Sequence, residues 1–172
     1  LQFMFNKRNK NSNNFVFMSS NYINLYNNLI NLTTNKKLYI GLQVQDTFSD
    51  RLIMFLFHFA FFLKVYKDEK TKVILQEIYD FNFKQLELSI REIGYGDQSI
   101  NKKMKVYLNL FHSIISEVHF WNKLSKADKK KKISTFLQNF KEIEYLVEYF
   151  DEFAENLSKK TLNSYLKSVS NQ

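Results

Sequence analysis

The chain has 172 residues, no cysteine, a formal net charge of +8, and 45% hydrophobic residues. That length suits one domain with a sizeable core. The missing thiols exclude disulfides, thiolate metal sites and a cysteine nucleophile, which fits a reducing compartment.

Residues 1–20 are rich in Asn, Lys and Ser and read as a mobile basic N-terminal arm, with Phe15-Val16-Phe17-Met18 as an apolar docking patch and Lys7, Arg8 and Lys10 as its charge. They have neither a secretory apolar core nor an Arg-rich transit pattern. Ser20 suits the cap of a first helix over about 21–36, where Tyr22, Leu25, Tyr26, Leu29 and Leu32 form one apolar stripe. Gly41 allows a turn, and both Asp46 and Thr47 suit the N-cap of a second helix.

That second helix, about 47–67, carries Leu52, Phe55, Leu56, Phe59, Phe62, Leu63 and Tyr66 on one face and Phe57, Ala60 and Phe61 elsewhere. A helix apolar on every side is buried on every side, so it is the expected centre of the fold. Its apolar run, Leu52 to Leu63, is twelve residues, contains His58, and is flanked by Arg51 and Lys64. That is short of the roughly 20 residues that span a bilayer. His58 is expected as a buried neutral imidazole bonded to a carbonyl or carboxylate, with a metal ligand or a pH switch as the alternative. Arg51 is expected in a bidentate carboxylate pair, with Glu92 or Asp97 as partner.

A third helix, about 70–93, points Leu75, Ile78, Tyr79, Phe83, Leu86, Ile90 and Ile93 inward and stops at Gly94, because glycine enters the left-handed conformation cheaply. Gly96 frees the next link, and Asp97 or Ser99 suits the cap of a fourth helix, about 98–122. Two of the chain's three glycines lie in this corner, and proline is absent. Arg91 and Glu92 end one helix while Lys102, Lys103 and Lys105 begin the next, so the reversal gathers charge on one edge. Lysines in a first turn oppose the helix dipole, which points to a phosphate or acidic partner or to a solvated edge. The densest basic run, Lys126 to Lys132, precedes an amphipathic pattern from Ile133 to Leu157, written as one helix or as two broken near Lys141. Glu144, Glu148, Asp151, Glu152 and Glu155 form an acidic face that either meets a partner or pairs with those lysines. From about Ser158 the tail is polar and expected to fray.

The motifs Ile90-Arg91-Glu92-Ile93-Gly94-Tyr95-Gly96-Asp97 and Lys103-Met104-Lys105 resemble the Leu-Arg-Glu-Met-Gly-Val-Gly-Asp…Lys-Arg-Met-Lys segment of the ubiquinol–cytochrome c chaperone family. Gly41-Leu42-Gln43-Val44-Gln45-Asp46-Thr47, with Arg51 and His58 after it, is similar to that family's Gly-Val-Pro-Asp-Thr…Arg…Leu-His segment. The likeness covers about residues 22–120. It departs at Gln45, where the family has proline, and at Phe111-His112-Ser113-Ile114, where it has Phe-Tyr-Gly-Arg.

Taken with the periodicity, the expected architecture is an all-α, compact single-domain bundle of about six helices. It comprises a helical domain over 21–172, a family-like core at about 22–120 and C-terminal helices at about 126–157. No catalytic, cofactor or metal site is expected. His112, Glu117 and His119 match neither the spacing of a di-iron bundle nor that of a zinc protease. There is no phosphate loop, and no RNA-binding signature of known module type. The resemblance implies a non-catalytic assembly chaperone for the cytochrome bc1 complex, attending newly made cytochrome b, with ribosome and anionic membrane surface as further contacts and no DNA or small-molecule substrate. With no clear transit pattern, the expected place is the cytoplasmic face of a bacterial inner membrane, with the mitochondrial matrix, where the resemblance places mitochondrial members of the family, as the alternative. Tyr95, Trp121 and outward phenylalanines are candidates for an aromatic groove. Lys102, Lys103 and Lys105 are candidates for an anion-facing edge, and Glu148 and Glu152 for an acidic lip. Asp46, Arg51, His58, Arg91, Glu92, Gly94, Gly96 and Asp97 are the candidate framework of the motif. A basic helical RNA-binding protein, and an enzyme with a pocket around His58 and Arg51, are the competing readings.

Overall fold

The computed structural model describes residues 21–39 and 47–170, and these form seven α-helices and no strand. Helix α1 covers 21–33 and is followed by a 3-10 turn, Lys36–Tyr39. Next come α2 (Phe48–Tyr66), α3 (Lys72–Glu92), α4 (Asp97–His119), α5 (Lys126–Phe136), α6 (Ile143–Ser158) and α7 (Leu162–Ser170), with a 3-10 turn at Trp121–Lys123. Residues 1–20 and Gly41 to Asp46 lie outside the described residues, so the arm and the Asp46 cap reading lie there too.

Helix α2 starts in a capping box. Thr47 Oγ1 accepts from the Asp50 backbone N–H at 3.2 Å, and the Asp50 carboxylate accepts from the Thr47 N–H at 3.4 Å. These bonds satisfy donors that the helix itself leaves orphaned. Downstream, every residue from Met54 to Phe62 is buried, as expected of an all-round apolar helix. Each side of α2 meets a different neighbour. Phe55 packs edge-on to Tyr26 of α1 at 5.6 Å, and Phe59 stacks on Phe111 of α4 at 5.2 Å. Phe61 stacks on Phe150 of α6 at 5.1 Å, and Phe62 meets Tyr165 of α7 at 5.7 Å. Helices α4 and α6 pack most heavily against it, while α3 pairs with α4 and α5 with α6.

The basic and amphipathic patterns after residue 125 resolve into two helices. Ser125 caps α5 by accepting from the Asp128 N–H at 3.1 Å. The chain leaves helical geometry at Leu137 and re-enters at Glu142, with Leu137 and Phe140 plugged into the core between. The tail departs from expectation. Instead of fraying, residues from Leu162 onward form α7, with Leu162, Tyr165, Leu166 and Val169 buried. Tyr165 donates to Asn28 Oδ1 at 3.0 Å and Ser170 to Asn21 Oδ1 at 3.0 Å, so α7 closes onto α1. The apolar spacing 162, 165, 166, 169 is one helical face; the polar residues between mask it.

Candidate functional site

The corner between α3 and α4 is built as its glycine pattern requires. Gly94 has φ +98° and its N–H donates to the Arg91 carbonyl at 2.9 Å. A side chain at Gly94 would meet nothing within 4 Å, so only backbone geometry demands glycine there. Gly96 differs: it is the N-cap of α4 at φ −70°, ψ 156°, where any residue fits. The expected cap by Asp97 or Ser99 is therefore displaced. Asp97 is the first helical residue, and its carboxylate, favourably placed at the positive end of the helix, accepts from Arg91 Nη1. Arg91 also reaches back to Glu87 Oε1 through Nη2 at 2.8 Å and Nε at 3.0 Å, and this hydrogen bonding holds the Glu87 carboxyl below the usual carboxylate range. One guanidinium thus staples the end of α3 to the start of α4.

Serine substitution separates the two glycines. Gly94→Ser is expected to lower unfolding free energy by about 1–2 kcal/mol through the left-handed backbone cost. Gly96→Ser is expected to leave it unchanged or slightly higher, because the hydroxyl gains a cap. Urea denaturation of both variants checks this.

Above the staple the corner is apolar and basic. Ile93 is 59% exposed and Tyr95 44%. Lys103 Nζ sits 4.4 Å from the centre of the Tyr95 ring, a cation–π contact. Lys102 and Lys105 are exposed beside it, with Val106 outward, and Glu92 is exposed at the end of α3. Arg51 is exposed in the first turn of α2, and Asp97, named with Glu92 as a possible partner for it, accepts from Arg91.

Trp121 is a correction. Expected on an aromatic groove, it is 1% exposed. Its ring stands edge-on to Phe61 at 5.2 Å, and Nε1–H donates to Asp151 Oδ1 at 2.6 Å. A tryptophan whose N–H finds a carboxylate can be buried without leaving a polar group unpaired. The same Asp151 accepts from Lys129 Nζ at 2.8 Å. The outward phenylalanines among the described residues are Phe48 and Phe120 instead.

The acidic face pairs within the chain. Lys126 bridges Glu144 at 2.7 Å and Glu148 at 2.9 Å, Lys130 reaches Glu144 at 3.5 Å, and Lys132 pairs with Glu117. Glu148 is therefore tied to α5, whereas Glu152 is exposed on the outer turn of α6. Surface pairs of this kind contribute little each, but they balance the lysine run that suggested a nucleic-acid partner.

His58 is fully buried. Its Nδ1 lies 2.7 Å from the Met54 carbonyl and its Nε2 2.6 Å from the Tyr149 hydroxyl. A carbonyl only accepts, so Nδ1 carries the proton and Tyr149 donates to Nε2. Burial pushes the imidazole pKa down to about 4 and the Tyr149 phenol up, so both stay neutral. Among the described residues no three His, Asp or Glu side chains gather as a metal-ion site, and no helix is long and apolar enough to cross a membrane.

A family model described as ubiquinol-cytochrome C chaperone matches residues 41–168. The chain belongs to the ubiquinol–cytochrome c chaperone family. The match runs past the 22–120 span that the motifs suggested, into α7, so the α5–α6 pair is part of the family's domain. A crystal structure of the Cbp3 homolog from Brucella abortus is similar to this chaperone-family fold, with a TM-score of 0.70 over 96% of this chain and 93% of that one. At 20% sequence identity, that likeness speaks for the fold alone. The comparison with curated proteins gives no match.

Proposed function

We propose that this protein is a non-catalytic assembly chaperone of the cytochrome bc1 complex, with newly made cytochrome b as its client. The observation that carries this reading is the family match across 41–168, which includes the exposed Gly94 corner. A polytopic client in assembly presents apolar helix faces that need temporary cover. Ile93 and Tyr95 offer an apolar contact, and Lys102, Lys103 and Lys105 suit anionic headgroups or ribosomal RNA beside it. In this reading the protein works at the cytoplasmic side of a bacterial inner membrane. The competing RNA reading loses support because Lys126, Lys129, Lys130 and Lys132 each face a carboxylate of the same chain.

Deleting the gene is expected to leave the cell short of bc1 complex and of heme-bearing cytochrome b, measured by native gels and reduced-minus-oxidised spectra. A photo-reactive residue at Tyr95 is expected to cross-link cytochrome b, while one at Val73, 69% exposed at the far end of α3, is not. Normal bc1 levels in the deletion strain would remove the client assignment.

A further inference from the structure

A cleft of about 690 Å³ opens at the opposite end of α3 and α4 from the Gly94 corner, within the size range of sites that hold a small organic ligand. Its floor is hydrocarbon: Ala60 and Leu63 of α2, Leu75 of α3 and Ile115 of α4, with the Tyr79 ring alongside. Its mouth is basic. Lys64 comes from the last turn of α2, Lys67 follows that helix as its C-cap, and Lys72 begins α3. Lys67 and Lys72 are exposed, while Lys64 is half-withdrawn, its Nζ donating to Asn122 Oδ1 at 2.6 Å. Burial holds the Lys64 amine below its ordinary pKa. Two acids share the mouth, Asp68 and Glu69. Asp68 Oδ1 accepts from the Lys70 backbone N–H at 3.1 Å, which turns it into the α2–α3 link. Three lysines against two carboxylates leave the mouth net positive, with His119 at its side.

An apolar floor with ammonium groups at the rim matches a ligand that is itself divided, hydrocarbon at one end and negative at the other. Lysine stems can lie along the hydrocarbon and place their charge at the head. We propose that this cleft binds a single-chain anionic amphiphile of the fatty-acid type, its tail on Leu63, Leu75 and Ile115 and its carboxylate at Lys67 and Lys72. This site is separate from the corner and does not depend on the client assignment.

The test is calorimetric titration of the full chain with decanoate, laurate and myristate, each below its micelle concentration. The expected result is saturable one-to-one binding that tightens about fourfold per added methylene while the floor still has room. The double variant Lys67→Glu/Lys72→Glu is expected to bind laurate at least tenfold more weakly. Gln76→Trp, an exposed position on the cleft wall, is expected to do the same by filling the space. Both variants should keep the parent's circular dichroism and denaturation midpoint. Dodecanol, with the same tail and no charge, should bind about as weakly to the parent as laurate does to the double variant. Absence of binding by monomeric laurate, binding that both variants leave unchanged, or binding to phospholipid vesicles alone overturns the proposal.

Discussion

Phe61→Ala is expected to destabilise the protein by about 3–5 kcal/mol, the range for truncating a fully buried aromatic residue. Phe61 is 0% exposed, and its ring is held between Phe150, stacked at 5.1 Å, and Trp121, edge-on at 5.2 Å. Removing it takes away apolar burial, opens a cavity with no side chain free to fill it, and loses two ring contacts worth about 0.5–1.5 kcal/mol each. A domain of this size has a total stability of only about 5–15 kcal/mol, so the variant should be partly unfolded at growth temperature. The control is Phe48→Ala. Phe48 is also on α2 but 52% exposed, and its removal is expected to change stability by less than about 0.5 kcal/mol. Urea titrations followed by far-ultraviolet circular dichroism check both. Equal midpoints for Phe61→Ala and the parent would contradict a structure in which α2 is the shared wall of the core.

The second large effect is in acid. The folded-state pKa of His58 is depressed from 6.5 to about 4, first by desolvation. Above pH 6.5 the imidazole is neutral in both folded and unfolded chains and favours neither. As pH falls from 6.5 toward 4, the unfolded chain takes up a proton that the folded one refuses. Stability from this site is therefore complete at neutral pH and lost going down through that window, to the extent of about 3 kcal/mol. Carboxylates held below their ordinary range, the half-buried Glu87 and the exposed Glu144 among them, add acid sensitivity of their own. A difference measurement isolates the histidine. His58→Gln should be less stable than the parent at pH 7, where the Tyr149 and Met54 bonds are disturbed, and should show a flatter fall between pH 6.5 and 4. Parallel profiles for the two proteins would mean that His58 is not buried in this way.

These two effects mark where the sequence spoke clearly. Ten phenylalanine, leucine, methionine and alanine neighbours around one histidine can only be the inside of something. A buried imidazole in such a run needs a carbonyl, and the one four residues back is at hand. The Gly94 reversal was equally legible, because a left-handed residue is a local requirement. Long-range partnerships were not. Nothing within ten residues of Trp121 announces that Asp151, thirty residues on, will accept its N–H. Without that bond an outward tryptophan was the reasonable expectation. Likewise Lys126 to Lys132 read as a free basic patch or as a paired one, and the choice depended on how Leu137 and Phe140 turn the chain. Once they break the helix, α5 lies antiparallel to α6, and the opposing charges meet across the hairpin. The acidic lip was reduced by the same turn. Arg91 illustrates the same limit: it and Asp97 are six residues apart across a glycine corner, and the bond between them follows from how that corner turns.

The buried indole has a practical consequence. The chain contains one tryptophan, seated where α2 and α6 meet and bonded to a carboxylate that also holds α5. Its fluorescence is therefore a site-specific reporter for the parting of those three helices. Emission that shifts to longer wavelength before circular dichroism is lost would reveal a partly opened form, in which the C-terminal hairpin has swung away from a still-helical centre.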